Sequence, residues 1–257
     1  MEHNNASDNT GWGIHLYASV SNRVCHNTAD RCTRPNLNDS AGFLLVYGSS
    51  GNQILTNSFQ YGGDGFFIGN EGGCPSNDNL VQSNNGSHAG ANAFEATFSR
   101  GNQFIGNIAD ASNNGFWLGY SHDGTVIRGN SIRANGSSGI EIEHGQNNTI
   151  EDNDIIGNGS SGIALRTDGL PHFPINAGCL KLPNPAASSG YTIRNNRVHS
   201  NYGTAMVLTK TTGRPTWPLS VTPGRSAIMS GSTLAAIRAA PAPCSTRPME
   251  HILPRMV

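Results

Sequence analysis

Apolar residues in this chain recur in one fixed phrase: a glycine or alanine, then apolar, any residue, apolar. It reads GIHL at Gly13, GFLL at Gly42, GFFI at Gly65, AFEA at Ala93, GFWL at Gly115, GIEI at Gly139, GIAL at Gly162 and AMVL at Ala205. A second phrase follows, an apolar residue three positions ahead of an asparagine: Val24 with Asn27, Ile54 with Asn57, Val81 with Asn84, Phe104 with Asn107, Ile127 with Asn130, Ile150 with Asn153 and Ile193 with Asn196. Apolar and polar residues that alternate over so few positions predict short strands with one buried face. The phrase returns after roughly 22 to 29 residues, with a longer interval before Ala205. A unit this short cannot bury its own apolar face and must stack on copies of itself. The pattern therefore predicts an all-β chain, a parallel β-solenoid of about eight coils.

Stacking aligns equivalent positions into rows. One inward row is Ile14, Phe43, Phe66, Phe94, Phe116, Ile140, Ile163 and Met206, and a second is Leu16, Leu45, Ile68, Ala96, Leu118, Ile142, Leu165 and Leu208. The asparagines fall at one corner of every coil, where a carboxamide can bond its own turn and the amides of adjacent coils. GNQILTNSFQ from Gly51 and GNQFIGNIAD from Gly101 then read as turn, strand, turn. These asparagines are expected to hold the fold and to carry no chemistry.

Composition agrees with a solenoid better than with a globule. Hydrophobic residues make up 36% and charged residues 13%, both low for a packed core with a charged surface, while glycine stands at 32. A net charge of −1 with scattered basic residues offers no footprint for nucleic acid or an anionic membrane. No apolar run approaches a membrane span, and the start MEHNNASDN lacks the features of a secretory signal. Of the five cysteines, Cys25 and Cys32 are close enough in sequence to bridge, but free thiols are equally compatible.

The repeat spans residues 1–211. Asn4, Ala6, Asn9 and Gly13 repeat the offsets of Asn130, Ile132, Asn135 and Gly139, so the chain opens inside a coil. That predicts an N-terminally truncated product, or an uncapped end open to self-association. Residues 212–257 contain no asparagine or aspartate and gain proline, arginine and alanine. They read either as a disordered tail or as the product of a shifted frame or fusion. A proline-rich insertion, DGLPHFPINAGCLKLPNPAASSG from Asp168, is expected to be a surface loop at the edge of the first strand.

On the glycine-apolar strand and the asparagine corner, residues 1 to about 211 resemble the right-handed parallel β-helix repeat family of carbohydrate-binding and sugar-processing proteins, which includes NosD-type chains. The resemblance implies an extracellular or periplasmic location and a polysaccharide partner, or in the NosD branch a part in copper-enzyme maturation. It is specific for fold and unspecific for function. The chain lacks the DPHD segment of the alginate-epimerase helices, the paired aspartates of the pectin hydrolases and the GGxGxD calcium repeat.

Chemistry is expected on the outward rows of the first strand. They read His15, Leu44, Phe67, Glu95, Trp117, Glu141, Ala164, Val207, and Tyr17, Val46, Gly69, Thr97, Gly119, Glu143, Arg166, Thr209. Phe67 and Trp117 offer apolar faces to pyranose rings. Tyr120, His122, Asp123, Glu143 and Asp168 supply polar contacts. Glu95 and Glu141 fall two coils apart, roughly 9.6 Å between backbones, a separation within reach of inverting glycosidases. For a lyase or epimerase, His144 or His122 would be the base and Arg166 the group that neutralises a uronate. Glu143 beside Arg166 is otherwise a cross-strand ion pair. No cofactor is expected, and no metal, since only His122 and His144 fall close together. The competing expectation is a non-catalytic scaffold that displays loops to a protein partner.

Overall fold

The computed structural model describes residues 1–34, 40–69, 74–121, 123–167 and 187–209. The described residues form strands, turns and bends without a helix, so none is long and apolar enough to cross a membrane. Strands are numbered in chain order. The first sheet stacks β1 (Trp12–Tyr17), β3 (Ala41–Val46), β5 (Asp64–Ile68), β7 (Asn92–Thr97), β9 (Asn114–Gly119), β12 (Ile140–Glu143), β15 (Ile163–Arg166) and β18 (Met206–Thr209) in that order. The second runs from β2 (Arg23–Cys25) through β4 (Gln53–Leu55), β6 (Leu80–Gln82), β8 (Gln103–Ile105), β10 (Val126–Arg128) and β13 (Thr149–Glu151) to β16 (Thr192–Arg194). A third, shorter sheet joins β11 (Ser131–Arg133), β14 (Asp154–Ile156) and β17 (Arg197–His199). Neighbours pair in parallel, as a chain winding through stacked coils requires.

The register matches the rows expected from the sequence. Phe43 pairs with Phe66, Phe66 with Phe94, Phe94 with Phe116, and Phe116 with Ile140. These side chains are fully buried, and Phe94 and Phe116 stack with centroids 5.0 Å apart. Each such ring contributes about 1.5–3 kcal/mol of burial, which a narrow solenoid core obtains only by repetition.

The asparagine interval has a backbone cause. Thr56 (φ 56°) and Gly51 (φ 66°) are left-handed, and each is followed by an asparagine, Asn57 and Asn52. Three residues of strand β4 separate these two bends, which gives the interval of five. Gly101 and Gly106 do the same around β8. A left-handed non-glycine residue costs roughly 1–2 kcal/mol, and the asparagine ladders offset it. Asn84 illustrates the ladder: its amide nitrogen and Nδ2 both donate to Asn107 Oδ1, at 2.9 and 3.2 Å, and Nδ2 also donates to the Ile54 carbonyl at 2.9 Å. Asn27, Asn57, Asn84, Asn107, Asn130, Asn153 and Asn196 form one such ladder. Asn22, Asn52, Asn79 and Asn102 form a second, and Asn135, Asn158 and Asn201 a third.

The glycine of the strand phrase is a packing requirement. A Cβ on Gly115 would lie 2.5 Å from both the Gly139 carbonyl oxygen and Ile132 Cγ2, a spacing that no side chain tolerates.

Cys25 and Cys32 do not bridge. Val24 points into the core, so Cys25 beside it points out, against Leu55 and Leu80. Cys32 is a free thiol buried at another corner, 3.5 Å from the Ala6 carbonyl oxygen, and burial pushes its pKa up. Cys25 and Cys74 are each disulfide-bonded. The boundary at 211, the tail 212–257 and residues 168–186 of the insertion lie outside the described residues.

Candidate functional site

Strands β5, β7, β9, β12 and β15 place one outward row in register: Phe67 beside Glu95, Glu95 beside Trp117, Trp117 beside Glu141, and Glu141 beside Ala164. Glu95 and Glu141 are thus two coils apart, roughly 9.6 Å at 4.8 Å per coil. The second outward row sets Thr97 beside Gly119, Gly119 beside Glu143, and Glu143 beside Arg166.

The two rows interact through their glycines. A Cβ on Gly119 would sit 3.0 Å from Trp117 Cη2 and 3.3 Å from Cζ3. The indole therefore lies along its own strand, over the space that glycine leaves two residues on. Phe67 does the same over Gly69, whose Cβ would meet Phe67 Cζ at 3.3 Å. Both rings are half-buried, with their outer atoms against the strand's own glycine. In the second coil the outward face is closed, since Leu44 and Val46 point outward by register yet are buried, whereas His15 and Tyr17 of the first coil are exposed.

The charged groups around Trp117 are held in place. Arg166 Nη2 lies 2.6 Å from Glu141 Oε1. Its Nε donates to Glu143 Oε1 at 2.9 Å, and Nη2 also pairs with that oxygen. The Arg166 side chain is 45% exposed, against 10% for Glu141 and 17% for Glu143. One guanidinium therefore closes over two carboxylates, and the expected cross-strand ion pair is present with Glu141 added to it. On the other side of Trp117, Asn92 Nδ2 donates to Glu95 Oε2 at 2.6 Å, and Asn114 Nδ2 donates to Asn92 Oδ1 at 3.0 Å. The Asp64 carboxylate accepts the Asn92 amide at 2.8 Å. Glu95 is oriented by an amide relay that starts at the strand entrances.

His144 and Tyr120 form the corner beyond this sheet. Both are left-handed, with φ of 52° and 53°. Their rings stack at 4.6 Å with planes 1° apart, and Tyr120 stacks in turn on Phe98 at 4.9 Å. His144 is only 1% exposed. Asp123 is exposed and accepts a bond from Asn147 Nδ2 at 2.9 Å. His122 and Asp168 lie outside the described residues. Among the described residues, no three His, Cys, Asp or Glu side chains are grouped as a metal site would need.

The structure thus brings together Glu95, Trp117, Glu141, Glu143 and Arg166, with Phe67 further along the same face. Sequence reasoning passed over Asn92 and Asn114, and placed Gly69 and Gly119 in the outward row without reading the space they leave. The two glycines were legible, since each follows an outward aromatic by two residues on a strand of period two.

The arrangement can hydrogen-bond hydroxyls through three carboxylates and offer an aromatic plane to an apolar ring face. Comparison with solved structures finds parallel β-helices. The periplasmic alginate epimerase AlgG, as a double mutant, superimposes with a TM-score of 0.64 at 17% identity, over 78% of this chain and 46% of that one. The A-module of the mannuronan C-5 epimerase AlgE4 from Azotobacter vinelandii gives 0.63 at 14% identity, over 82% and 57%. The chain spans about half the length of these structures, and at such identities the likeness is one of fold. No curated protein sequence matches. The family model for the right-handed β-helix region matches residues 84–216, just over half of the chain. With three parallel sheets, stacked aromatics inside and asparagine ladders at the corners, the chain belongs to the right-handed β-helix family.

Proposed function

We propose that this protein binds a polysaccharide outside the cytoplasm, laid along the outward face of the first sheet from Phe67 to Arg166. The observation that carries the proposal is the Trp117 indole lying over the space left by Gly119, with Glu95 and Glu141 in register on either side. A half-buried aromatic ring on the sheet surface suits a sugar ring, and carboxylates beside it accept hydroxyl hydrogen bonds. The solved structures of similar fold include enzymes that act on alginate, a polysaccharide. Disulfides at Cys25 and Cys74 suit an oxidising compartment.

Binding is favoured over elimination or epimerisation. The expected base, His144, is 1% exposed beneath its ring stack, and the expected neutralising cation, Arg166, is engaged by Glu141 and Glu143. If chemistry accompanies binding, Glu95 and Glu141 stand on either side of Trp117, roughly 9.6 Å apart at the backbone and within reach of the carboxyl separations of inverting hydrolases, and Glu141 would first have to leave Arg166.

The test is a glycan-array screen of the whole chain beside Trp117→Ala. Glycan binding that the substitution abolishes, with an unchanged melting temperature, supports the groove. Retention of a glycan by the variant refutes it, and silence on the array together with capture of a protein partner would favour the scaffold.

A further inference from the structure

The charge of this face speaks to which polysaccharide it takes. The eight strands of the first sheet carry four carboxylates, Asp64, Glu95, Glu141 and Glu143, and one guanidinium, Arg166. Asp64 is buried at a strand entrance. The other three surround Trp117, and the single cation already contacts two of them through Nε and Nη2. Arginines gather elsewhere: Arg128 and Arg194 pair with Glu151 on the second sheet, and Arg133 and Arg197 with Asp154 on the third.

A polyuronate laid along Trp117 would bring a carboxylate per sugar against Glu95, Glu141 and Glu143. It would meet no cation on the described sheet that is not already paired with two glutamates. A like-charge approach of this kind is repulsive and strengthens as water is excluded. An ammonium group in the same place would find carboxylates on both sides of the indole, and a charge over the indole face gains further attraction.

We infer that the groove selects a glycan bearing amino groups, such as a glucosamine polymer, over neutral glycans, and rejects polyuronates. This rests on the binding face proposed above and adds the sign of its ligand. It also separates the chain from the alginate-acting proteins whose fold it shares.

The experiment is calorimetric titration of the whole chain with three oligosaccharides of equal length: glucosamine, N-acetylglucosamine and mannuronate. Each is run at low and high salt, with wild type and Trp117→Ala. The expected result is glucosamine binding about tenfold tighter than N-acetylglucosamine at low salt, with the advantage shrinking at high salt and no mannuronate binding. The double variant Glu141→Gln, Glu143→Gln should lose the preference for glucosamine. Mannuronate binding equal to or tighter than glucosamine, if abolished by Trp117→Ala, overturns the charge inference and leaves the groove standing. N-acetylglucosamine binding as tightly as glucosamine does the same. Binding of any of the three that survives Trp117→Ala, or binding of none, overturns the groove and the inference with it.

Discussion

Replacing Asn107 with alanine tests what holds the coils together. Its Oδ1 accepts from the Asn84 amide at 2.9 Å and from Asn84 Nδ2 at 3.2 Å. Its Nδ2 donates to the Val81 carbonyl at 2.9 Å and to Asn130 Oδ1 at 3.1 Å. The side chain is 1% exposed, so water cannot replace it. Alanine removes all four bonds and leaves the buried Asn84 amide without its acceptor. An orphaned buried donor costs about 1–3 kcal/mol and each of the three further bonds about 0.5–1.5 kcal/mol net, which together place the loss at about 2.5–7.5 kcal/mol. Asn22 supplies the internal comparison. It stands exposed at the end of a ladder, donating to Asn52 Oδ1 at 3.0 Å and to the Val20 carbonyl at 3.2 Å. Its replacement leaves groups that water reaches, and about 0.5–1 kcal/mol should be lost. The assay is urea unfolding followed by far-ultraviolet circular dichroism, with the two variants beside wild type. Equal losses at the two positions would refute the account, because burial within the ladder is the feature that distinguishes them. Asn107→Ala combined with Asn130→Ala should lose less than the sum, since the two share a bond.

Three further outcomes follow from the same geometry. Gly115→Ala should lower the free energy of unfolding, read from urea midpoints, by several kcal/mol, because its Cβ would lie 2.5 Å from Gly139 O. Gly124→Ala meets nothing within 4 Å, and with φ at +88° should lose only about 1–2 kcal/mol of stability, to the backbone strain it introduces. Tyr191→Phe should cost about 1–2 kcal/mol in thermal unfolding, since the buried Tyr191 hydroxyl and Ser188 Oγ bond at 2.6 Å. Burial raises the pKa of Asp110 against the bonds it accepts from the Arg133 amide and Ser131. A carboxyl whose folded pKa is raised binds more protons folded than unfolded, so its contribution declines as pH rises from the ordinary value of 3.8 through the folded one. Asp110→Asn should therefore gain stability relative to wild type across that window in pH-dependent urea midpoints, and an unchanged difference would contradict it.

Much of the fold was legible before any coordinates. The phrase from Gly115 to Leu118 states a strand, which residues face in, and where the coil repeats, because alternation has period two and stacking has the period of the coil. The pairing of Phe67 with Glu95 and of Trp117 with Glu141 followed from those two periods alone. The asparagine interval was legible as turns, but the sequence reading named one ladder where the described residues hold three. The ladder of Asn135, Asn158 and Asn201 carries the same signature, with Ile132, Ile155 and Val198 three positions ahead, whereas that of Asn22, Asn52, Asn79 and Asn102 has serine at the offset where the first has an apolar residue.

The site was legible only as a face. That Glu95, Trp117, Glu141, Glu143 and Arg166 would point outward was determined by the sequence, since the alternation of the strand leaves each one side to face. What each does there was decided by tertiary structure. The indole lies along its strand because Gly119 leaves room, Arg166 folds back on two glutamates of the preceding coil, and His144 is sealed under Tyr120. Leu44 and Val46 also point outward and yet are buried. The direction of a side chain is a local property of the backbone, fixed by residue order. Its conformation, exposure and charge partners depend on neighbours one coil away, some 23 residues distant along the chain, and these are set only when the coils stack.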